Sequence, residues 1–134
     1  MLRQDYILRL IEQAAAALAR AFAALAGKQY DMALAELSQA FNAASKLDRR
    51  SFDALDTRTV ARLLGSPEQL RMVARVLAAE AEVHEQQGNR LTARRCLQRA
   101  RELLLELSEL TPEDQLALAD VGVRLRSHAA PGRG

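Results

Sequence analysis

Apolar residues recur at steps of three and four along most of this chain. In the first segment they are Ile7, Leu10, Ala14, Leu18, Ala21 and Leu25. Such steps place successive side chains on one face of a helix, because a helix turns once in about 3.6 residues. The same spacing returns between Tyr30 and Ala44, between Leu70 and His84, and beyond Arg90. The pattern predicts a succession of amphipathic helices.

The composition favours the same fold class. The 134 residues include 26 Ala and 23 Leu but only six Val and two Ile. Ala and Leu are strong helix formers, whereas β-branched residues suit pleated sheets. The composition therefore excludes an all-β or α/β fold, and a chain of this length fits a single domain.

Glycine, proline and small polar residues mark where the helices begin and end. Gly27, Gly65 and Gly88 follow apolar segments, where a left-handed residue commonly ends a helix. Ser66-Pro67 and Thr111-Pro112 combine an N-cap hydroxyl with a proline at the first helical position, and a glutamine three residues after Ser66 completes a capping box. The predicted helices are 2–26, 30–47, a short helix that Asp56 or Thr57 caps, 66–87, 90–110 and 112–126. From residue 48 the apolar pattern weakens into a polar stretch.

Two segments, 27–41 and 88–102, repeat one pattern. Each begins with Gly and then carries Ala, Leu and Ala at steps of four and three: Ala33, Leu37, Ala40 and Ala93, Leu97, Ala100. The segments resemble the second half of a tetratricopeptide repeat, where a small residue lets two helices cross closely. The first loop is one residue longer than the pattern of that family, and the copies are 60 residues apart instead of about 34. The resemblance implies two helical hairpins with the remaining helices as caps.

We therefore predict an all-α fold, an antiparallel helical array of tetratricopeptide-like hairpins with an inserted short helix and a C-terminal capping helix. One domain covers 1–126, and the tail 127–134 is expected to be flexible because it contains Pro131 and two glycines. The segment that ends in Ala24-Leu25-Ala26 resembles a signal peptide, but charged side chains interrupt its apolar run. We expect a helix of the mature protein there, and no membrane span.

The chain is also similar to a small bacterial family whose members have no assigned activity. The stretches MLRQDYILRLIEQ, GKQYDMALAEL and LAAEAEVHEQQGN carry this resemblance. It implies a helical-repeat fold in a bacterial protein and brings no substrate, cofactor or catalytic residue. Because the single Cys96 cannot close an internal disulfide, we expect a cytoplasmic location.

Helix 66–87 carries the candidate binding surface. Two apolar faces indicate that it lies between neighbouring helices, and Arg71, Arg75, Glu82 and Glu85 occupy its remaining side. In the register of a tetratricopeptide repeat, Arg75, Ala78, Glu82 and Glu85 line a groove that binds peptides, and the three charged residues are the candidate partner-binding residues. The alternative is a solvent-exposed face of mixed charge.

Glu80 and His84 lie one turn apart near the apolar side of the same helix. They could act as a base or as metal ligands, but a metal site needs three or four ligands and the sequence has no second cluster of Cys or His. We predict no metal, cofactor or catalytic site, and expect a structural hydrogen bond between Glu80 and His84.

Cys96 is expected to be a packed thiol without a catalytic role. It lies beside the apolar stripe of its helix, where a small sulfur side chain fits. Arg95 and Arg99 are close in sequence and could lower its pKa, which leaves a reactive thiol as the alternative.

Helix 90–110 has an unusual order of charge. Its first half carries Arg90, Arg94, Arg95, Arg99 and Arg101. Its second half carries glutamates, which is the opposite of what the helix dipole favours. We expect neighbouring acidic side chains to balance the arginines, with a bound anion or nucleic acid as the alternative. Nucleic acid is disfavoured, because aromatic side chains for base stacking are absent nearby and the net charge is only +2.

The first helix carries small residues on the face opposite its apolar stripe. Ala15, Ala19, Ala23 and Ala26 would let a second helix, from another copy of the chain, approach closely. Alanine is also the best helix former, so the stripe has a second explanation. A homo-oligomer through this helix is a prediction that the sequence leaves open.

These observations together predict a non-enzymatic protein-interaction or scaffold module that binds a protein or peptide. The sequence offers no phosphate loop, nucleophile–base pair or metal cluster for an enzyme. The alternative function is a small anion- or nucleic-acid-binding regulator that uses the arginines of the 90–101 helix.

Overall fold

A computed structural model describes residues 2–129 of the chain. About 85% of these residues are helical, and none of them forms a strand. The helices are α1 (Leu2–Ala26), α2 (Tyr30–Ser45), α3 (Arg49–Ala54), α4 (Thr57–Leu64), α5 (Pro67–Gln87), α6 (Arg90–Leu104) and α7 (Pro112–Ala129). The predicted all-α array is confirmed.

The long helices alternate in direction across the array. Gln69 at the start of α5 donates a 3.0 Å hydrogen bond to the carbonyl of Ala44 at the end of α2, so these packed helices are antiparallel. At the two ends of α7, Asp114 contacts Arg71 and His128 contacts Glu85, so α7 runs parallel to α5. The helices α1, α5 and α7 therefore point one way, and α2 and α6 point the other.

Helix α5 is the centre of the array, as its two apolar faces predicted. It packs against α1, α2, α4 and α6, and its residues from Gln69 to Val83 are mostly buried. The main core lies between α1, α2, α5 and the end of α6. A smaller core of Ala81, Ala93, Cys96, Leu97 and Val121 joins α5, α6 and α7.

The two hairpin turns have the same backbone geometry. Gln29 before α2 has φ −94° and ψ 77°, and Asn89 before α6 has φ −88° and ψ 72°. The residue before each is left-handed, with φ 58° at Lys28 and 84° at Gly88. The prediction that Gly27 takes the left-handed position was wrong, because the longer first loop moves that position to Lys28. The repeated Ala-Leu-Ala residues are all fully buried.

The polar stretch after residue 48 contains a short helix that the sequence analysis did not predict. Asp48 caps α3 by accepting a hydrogen bond from the Ser51 N–H. Phe52 is its single buried residue and packs edge-to-face on Phe41 at 4.9 Å between ring centroids. One apolar residue gives no periodicity, so spacing alone could not reveal this helix. The next helix, α4, has the predicted Asp56 cap.

Several helix ends differ from the prediction. Helix α2 ends at Ser45 because Lys46 is left-handed, and α6 ends at Leu104, where the backbone tightens into turns that bring Leu107 onto the core. Helix α7 continues to Ala129, so the predicted tail does not begin at 127. The remainder of that tail, 130–134, lies outside the described residues.

Candidate functional site

A groove of about 650 Å³ runs between α1, α5 and α7, which we call the α5 groove. Its floor is apolar and includes the buried side chains of Met72, Leu104 and Val121. The three helices run parallel along the groove, and Leu104 at the end of α6 completes its floor. A concave surface with an apolar floor and a few charged groups is the usual form of a binding site.

The start of α7 is fixed to α5 by a buried ion pair. The Nε atom of Arg71 lies 3.0 Å from both carboxylate oxygens of Asp114, whose side chain is 6% exposed. Asp114 also accepts from the N–H of Thr111, and the Thr111 hydroxyl accepts from the N–H of Asp114, which completes a capping box. Burial opposes ionisation of Asp114, but the Thr111 and Arg71 hydrogen bonds outweigh it and lower the pKa of this carboxyl.

The end of α7 is fixed by a second charged cluster. Glu85 accepts from Arg124 at 2.8 Å and lies 2.7 Å from Nε2 of His128. Burial alone would raise the pKa of Glu85, but these two partners lower it. Arg124 also donates to the carbonyl of Ala78 on α5 and pairs with Asp120.

The three predicted partner-binding residues are separated by the structure. Arg75 is exposed and lines the α5 groove. Glu82 is partly exposed on the same face of α5 but lies beyond the groove lining. Glu85 is engaged by Arg124 and His128. Only Arg75 is therefore available at the groove itself.

The sequence analysis did not assign the groove residues that α1, α7 and the first turn of α5 supply. Glu68 and Glu113 stand exposed at the end where α5 and α7 begin. Within residues 2–129, the ion pairs of the structure involve neither of them. The Thr111–Asp114 capping pattern was a usable signal for the position of α7.

The expected hydrogen bond between Glu80 and His84 is wrong. Glu80 is 8% exposed and forms a bidentate ion pair with Arg49, with N–O distances of 2.8 and 2.9 Å. Arg49 also lies over the rings of Phe41 and Phe52. Burial disfavours its charged form, but the bonds and charge of Glu80 outweigh burial and raise its pKa. The Nδ1 atom of His84 is buried and has no hydrogen-bond partner among the described residues.

Cys96 is packed, as predicted. Its side chain is buried between α5 and α6, and its thiol lies 3.8 Å from a carboxylate oxygen of Glu80. Burial, and then the negative charge of Glu80, raise the pKa of the thiol to about 12. A thiol with this pKa is not a nucleophile at neutral pH.

The arginines of α6 do not pair with acidic neighbours, so that expectation is wrong. Among the described residues, no ion pair of the structure includes an arginine between 90 and 101. Arg99 instead donates to the carbonyls of Phe52 and Leu55 at the end of α3 and lies over the Phe52 ring. It therefore holds α3 against α6. Arg94 and Arg95 are exposed.

The outer face of α1 is exposed at all four predicted alanines, Ala15, Ala19, Ala23 and Ala26. Leu8 and Phe22, each nearly half exposed, lie on the same face. Homo-oligomerisation through this face remains a prediction.

Two further properties concern the described residues as a whole. Within residues 2–129, no group of three or more His, Cys, Asp or Glu side chains is placed to hold a metal ion. In the same range, no helix combines the length and hydrophobicity that a membrane span requires.

Comparisons with known proteins return no family model, no curated protein and no solved structure that matches this chain. The similarity to a bacterial helical family and to tetratricopeptide repeats therefore remains a prediction from the sequence.

Proposed function

We propose that this protein is a non-enzymatic interaction module that binds a segment of a partner protein in the α5 groove. The observation that carries the proposal is the groove itself, about 650 Å³ with a floor of buried apolar side chains. We further propose that the hairpins are tetratricopeptide-like, supported by their matching turns, and that the protein acts in a bacterial cytoplasm.

The charges at the groove define the chemistry of the partner segment. Glu68 and Glu113 are exposed at one end of the groove, whereas Arg71 and Asp114 neutralise each other. Within residues 2–129 the two glutamates form no ion pair, and the exposed cation of the groove, Arg75, lies two turns further along α5 from Glu68. This end of the groove therefore attracts a cation. We expect a segment with apolar residues for the floor and basic residues for this end, such as a cationic amphipathic helix.

Site-specific photocrosslinking in the native host tests this function. A photoreactive phenylalanine at Ala78 reports on the groove, and the same residue at the exposed Ala35 of α2, outside the groove lining, is the control. We expect a discrete crosslinked partner from position 78 only, with basic and apolar residues in the crosslinked peptide.

A charge-reversal variant makes the test specific. Glu68→Lys with Glu113→Lys should abolish crosslinking from position 78, whereas Glu106→Lys with Glu109→Lys, two exposed residues outside the groove lining, should preserve it. Equal crosslinking from positions 78 and 35, or capture that survives the groove reversal, would contradict the proposal.

The alternative function is an anion- or nucleic-acid-binding regulator, and only some of the α6 arginines that suggested it are free to bind an anion. Arg99 is engaged with α3, but Arg94, Arg95 and Arg101 are exposed. A duplex-binding protein would lose affinity steeply with salt, by about 0.9 log units per log unit of salt for each phosphate contacted. We expect only weak duplex binding, lost at modest salt.

A further inference from the structure

Three arginines meet at the seam between α6 and α7. Arg94, Arg101 and Arg126 line an open cavity of about 420 Å³ together with Gln98, Glu102 and Leu125. The two helices are antiparallel here, and Arg90 donates to the carbonyl of Ser127 at 3.4 Å. We call the cavity lined by Arg94, Arg101 and Arg126 the arginine cleft.

The guanidinium of Arg126 lies beside a glycine in the middle of α7. The Nη1 atom of Arg126 lies 3.5 Å from the point where a Cβ atom on Gly122 would stand. That distance is an ordinary van der Waals contact, so an alanine would also fit at this position. The contact shows that the Arg126 guanidinium lies along the surface of α7, about one turn back from its own backbone.

Within residues 2–129, no acidic side chain forms an ion pair with the arginines of the cleft. Elsewhere in the described residues, Arg49, Arg71 and Arg124 each bind a carboxylate.

The single acidic residue of the cleft lining is directed toward another helix. Glu102 accepts a 2.7 Å hydrogen bond from the hydroxyl of Thr57 at the start of α4. Three arginines and one glutamate give the lining a net charge of +2, and a bound anion would relieve the repulsion among the arginines.

We propose that the arginine cleft binds a small phosphate-bearing molecule. A guanidinium presents parallel N–H donors that match two phosphate oxygens, which makes arginine well suited to this group. Arg94 and Arg101 are two turns apart on α6, about 10 Å along its axis, so their long side chains must converge for one pair of linked phosphates to contact both. Gln98, between them, supplies an amide donor. Inorganic phosphate and the diphosphate of an organic molecule share this chemistry.

Binding of pyrophosphate tests the proposal, with inorganic phosphate as the single-group comparison. Calorimetric titration at constant ionic strength should give saturable binding, tighter for pyrophosphate than for phosphate. Arg94→Gln and Arg126→Gln should each weaken it about tenfold or more, because each removes a charge-assisted hydrogen bond. Arg95→Gln removes the same charge from α6 outside the cleft lining and should leave the affinity unchanged.

Other results would overturn the proposal. These are the absence of saturable binding, equal loss in all three variants, or no loss in the cleft variants. Tighter binding of a short single-stranded oligonucleotide than of pyrophosphate would overturn the small-molecule assignment. All substituted arginines are exposed, so circular dichroism should show an intact fold for each variant. The α5 groove lies on a different seam, so failure here leaves the proposed interaction function standing.

Discussion

The two hairpins of this protein share one backbone design but are stabilised differently. Both have a left-handed residue followed by a residue of nearly identical φ and ψ, and both bury Ala, Leu and Ala at matching positions. The α1–α2 hairpin is rich in alanine, and its cross-helix ion pair, Arg20–Glu36, is largely exposed. The α5–α6 hairpin instead contacts its neighbours through charged side chains. Glu80 is buried against Arg49 of α3, and Arg71 and Glu85 form ion pairs with residues of α7.

This difference shows which features determine the hairpin and which attach its neighbours. The small and large apolar residues set how closely the two helices of each hairpin pack. The charged residues of α5 and α6 act between elements instead, because they connect the hairpin to α3 and α7. The first hairpin packs mainly on α5, through apolar residues and the hydrogen bond from Gln69 to Ala44, and its Phe41 also contacts Phe52 of α3.

Removal of the equivalent leucines should have the largest effect. Leu37 and Leu97 are both fully buried, so Leu37→Ala and Leu97→Ala should each lower the free energy of unfolding by about 3 kcal/mol. Urea denaturation measures this loss, and Leu91→Ala on the exposed face of α6 is the control, with an expected change within about 0.5 kcal/mol. A loss below about 1 kcal/mol at either buried site would show that the two leucines do not have equivalent roles in the two hairpins.

Breaking the buried ion pair between Arg49 and Glu80 of the second hairpin should have the next largest effect on stability. Arg49→Leu leaves the Glu80 carboxylate buried without its partner, and we expect a loss of about 2 kcal/mol, below the value for a fully buried pair because Arg49 is 35% exposed. Adding Glu80→Leu should recover much of that loss in urea denaturation. Arg20→Leu in the exposed pair of the first hairpin should change stability by about 0.5 kcal/mol or less. Equal losses for Arg49→Leu and Arg20→Leu would contradict the comparison.

Acid should loosen α7 from the second hairpin. The pKa values of Glu85 and Asp114 are lower in the folded protein than their ordinary values of 4.5 and 3.8. Their contribution is therefore present above those ordinary values and is lost as the pH falls through the folded pKa values. We expect roughly 1–2 kcal/mol to be lost between pH 6 and pH 3 through these two groups.

Urea denaturation across that pH range, compared with Glu85→Gln/Asp114→Asn, isolates the two groups. The variant should be less stable at pH 6 and less sensitive to acid. A pH dependence equal to that of the wild type would show that these carboxylates do not hold α7.

The left-handed turn residues give a smaller and opposite pair of effects. The left-handed backbone of Lys28 is strained, and a glycine in the same conformation would not be. Lys28→Gly should therefore stabilise the protein by about 1 kcal/mol. Gly88→Ala should destabilise it by a similar amount, although no heavy atom lies within 4 Å of the added Cβ. Thermal denaturation measures both, and Gly27→Ala, outside the left-handed region, is the control. If both substitutions changed stability in the same direction, the two turns would not share the same backbone strain.

Replacement of His84 should have the smallest effect. Its buried Nδ1 atom has no hydrogen-bond partner within residues 2–129, so His84→Leu should leave stability unchanged or raise it by up to about 1 kcal/mol. Urea denaturation at pH 7 provides the measurement. A loss above about 1 kcal/mol would mean that this imidazole makes a favourable interaction beyond packing.

The helices were predictable from the sequence wherever an apolar stripe or a cap specified them. The Ser66 cap, the Asp56 cap and the central position of α5 all follow from local patterns and are present in the structure. The helix α3 was not predictable in this way, because a single buried phenylalanine does not produce a repeating apolar spacing. The position of the left-handed residue in the first turn depended on loop length, and spacing from Gly27 misplaced it by one residue.

The partners of the charged side chains were decided by the tertiary structure. The sequence places Glu80 four residues from His84, yet Glu80 binds Arg49, which is 31 residues away. Arg99 lies among other arginines in sequence and binds carbonyl groups of α3 in space. Helical periodicity specifies which face a side chain occupies, because that face depends on neighbours within one or two turns. Which element packs on that face, and which charged side chains that element brings, depends on chain topology. For this reason the α5 groove and the arginine cleft could be identified only in the assembled array.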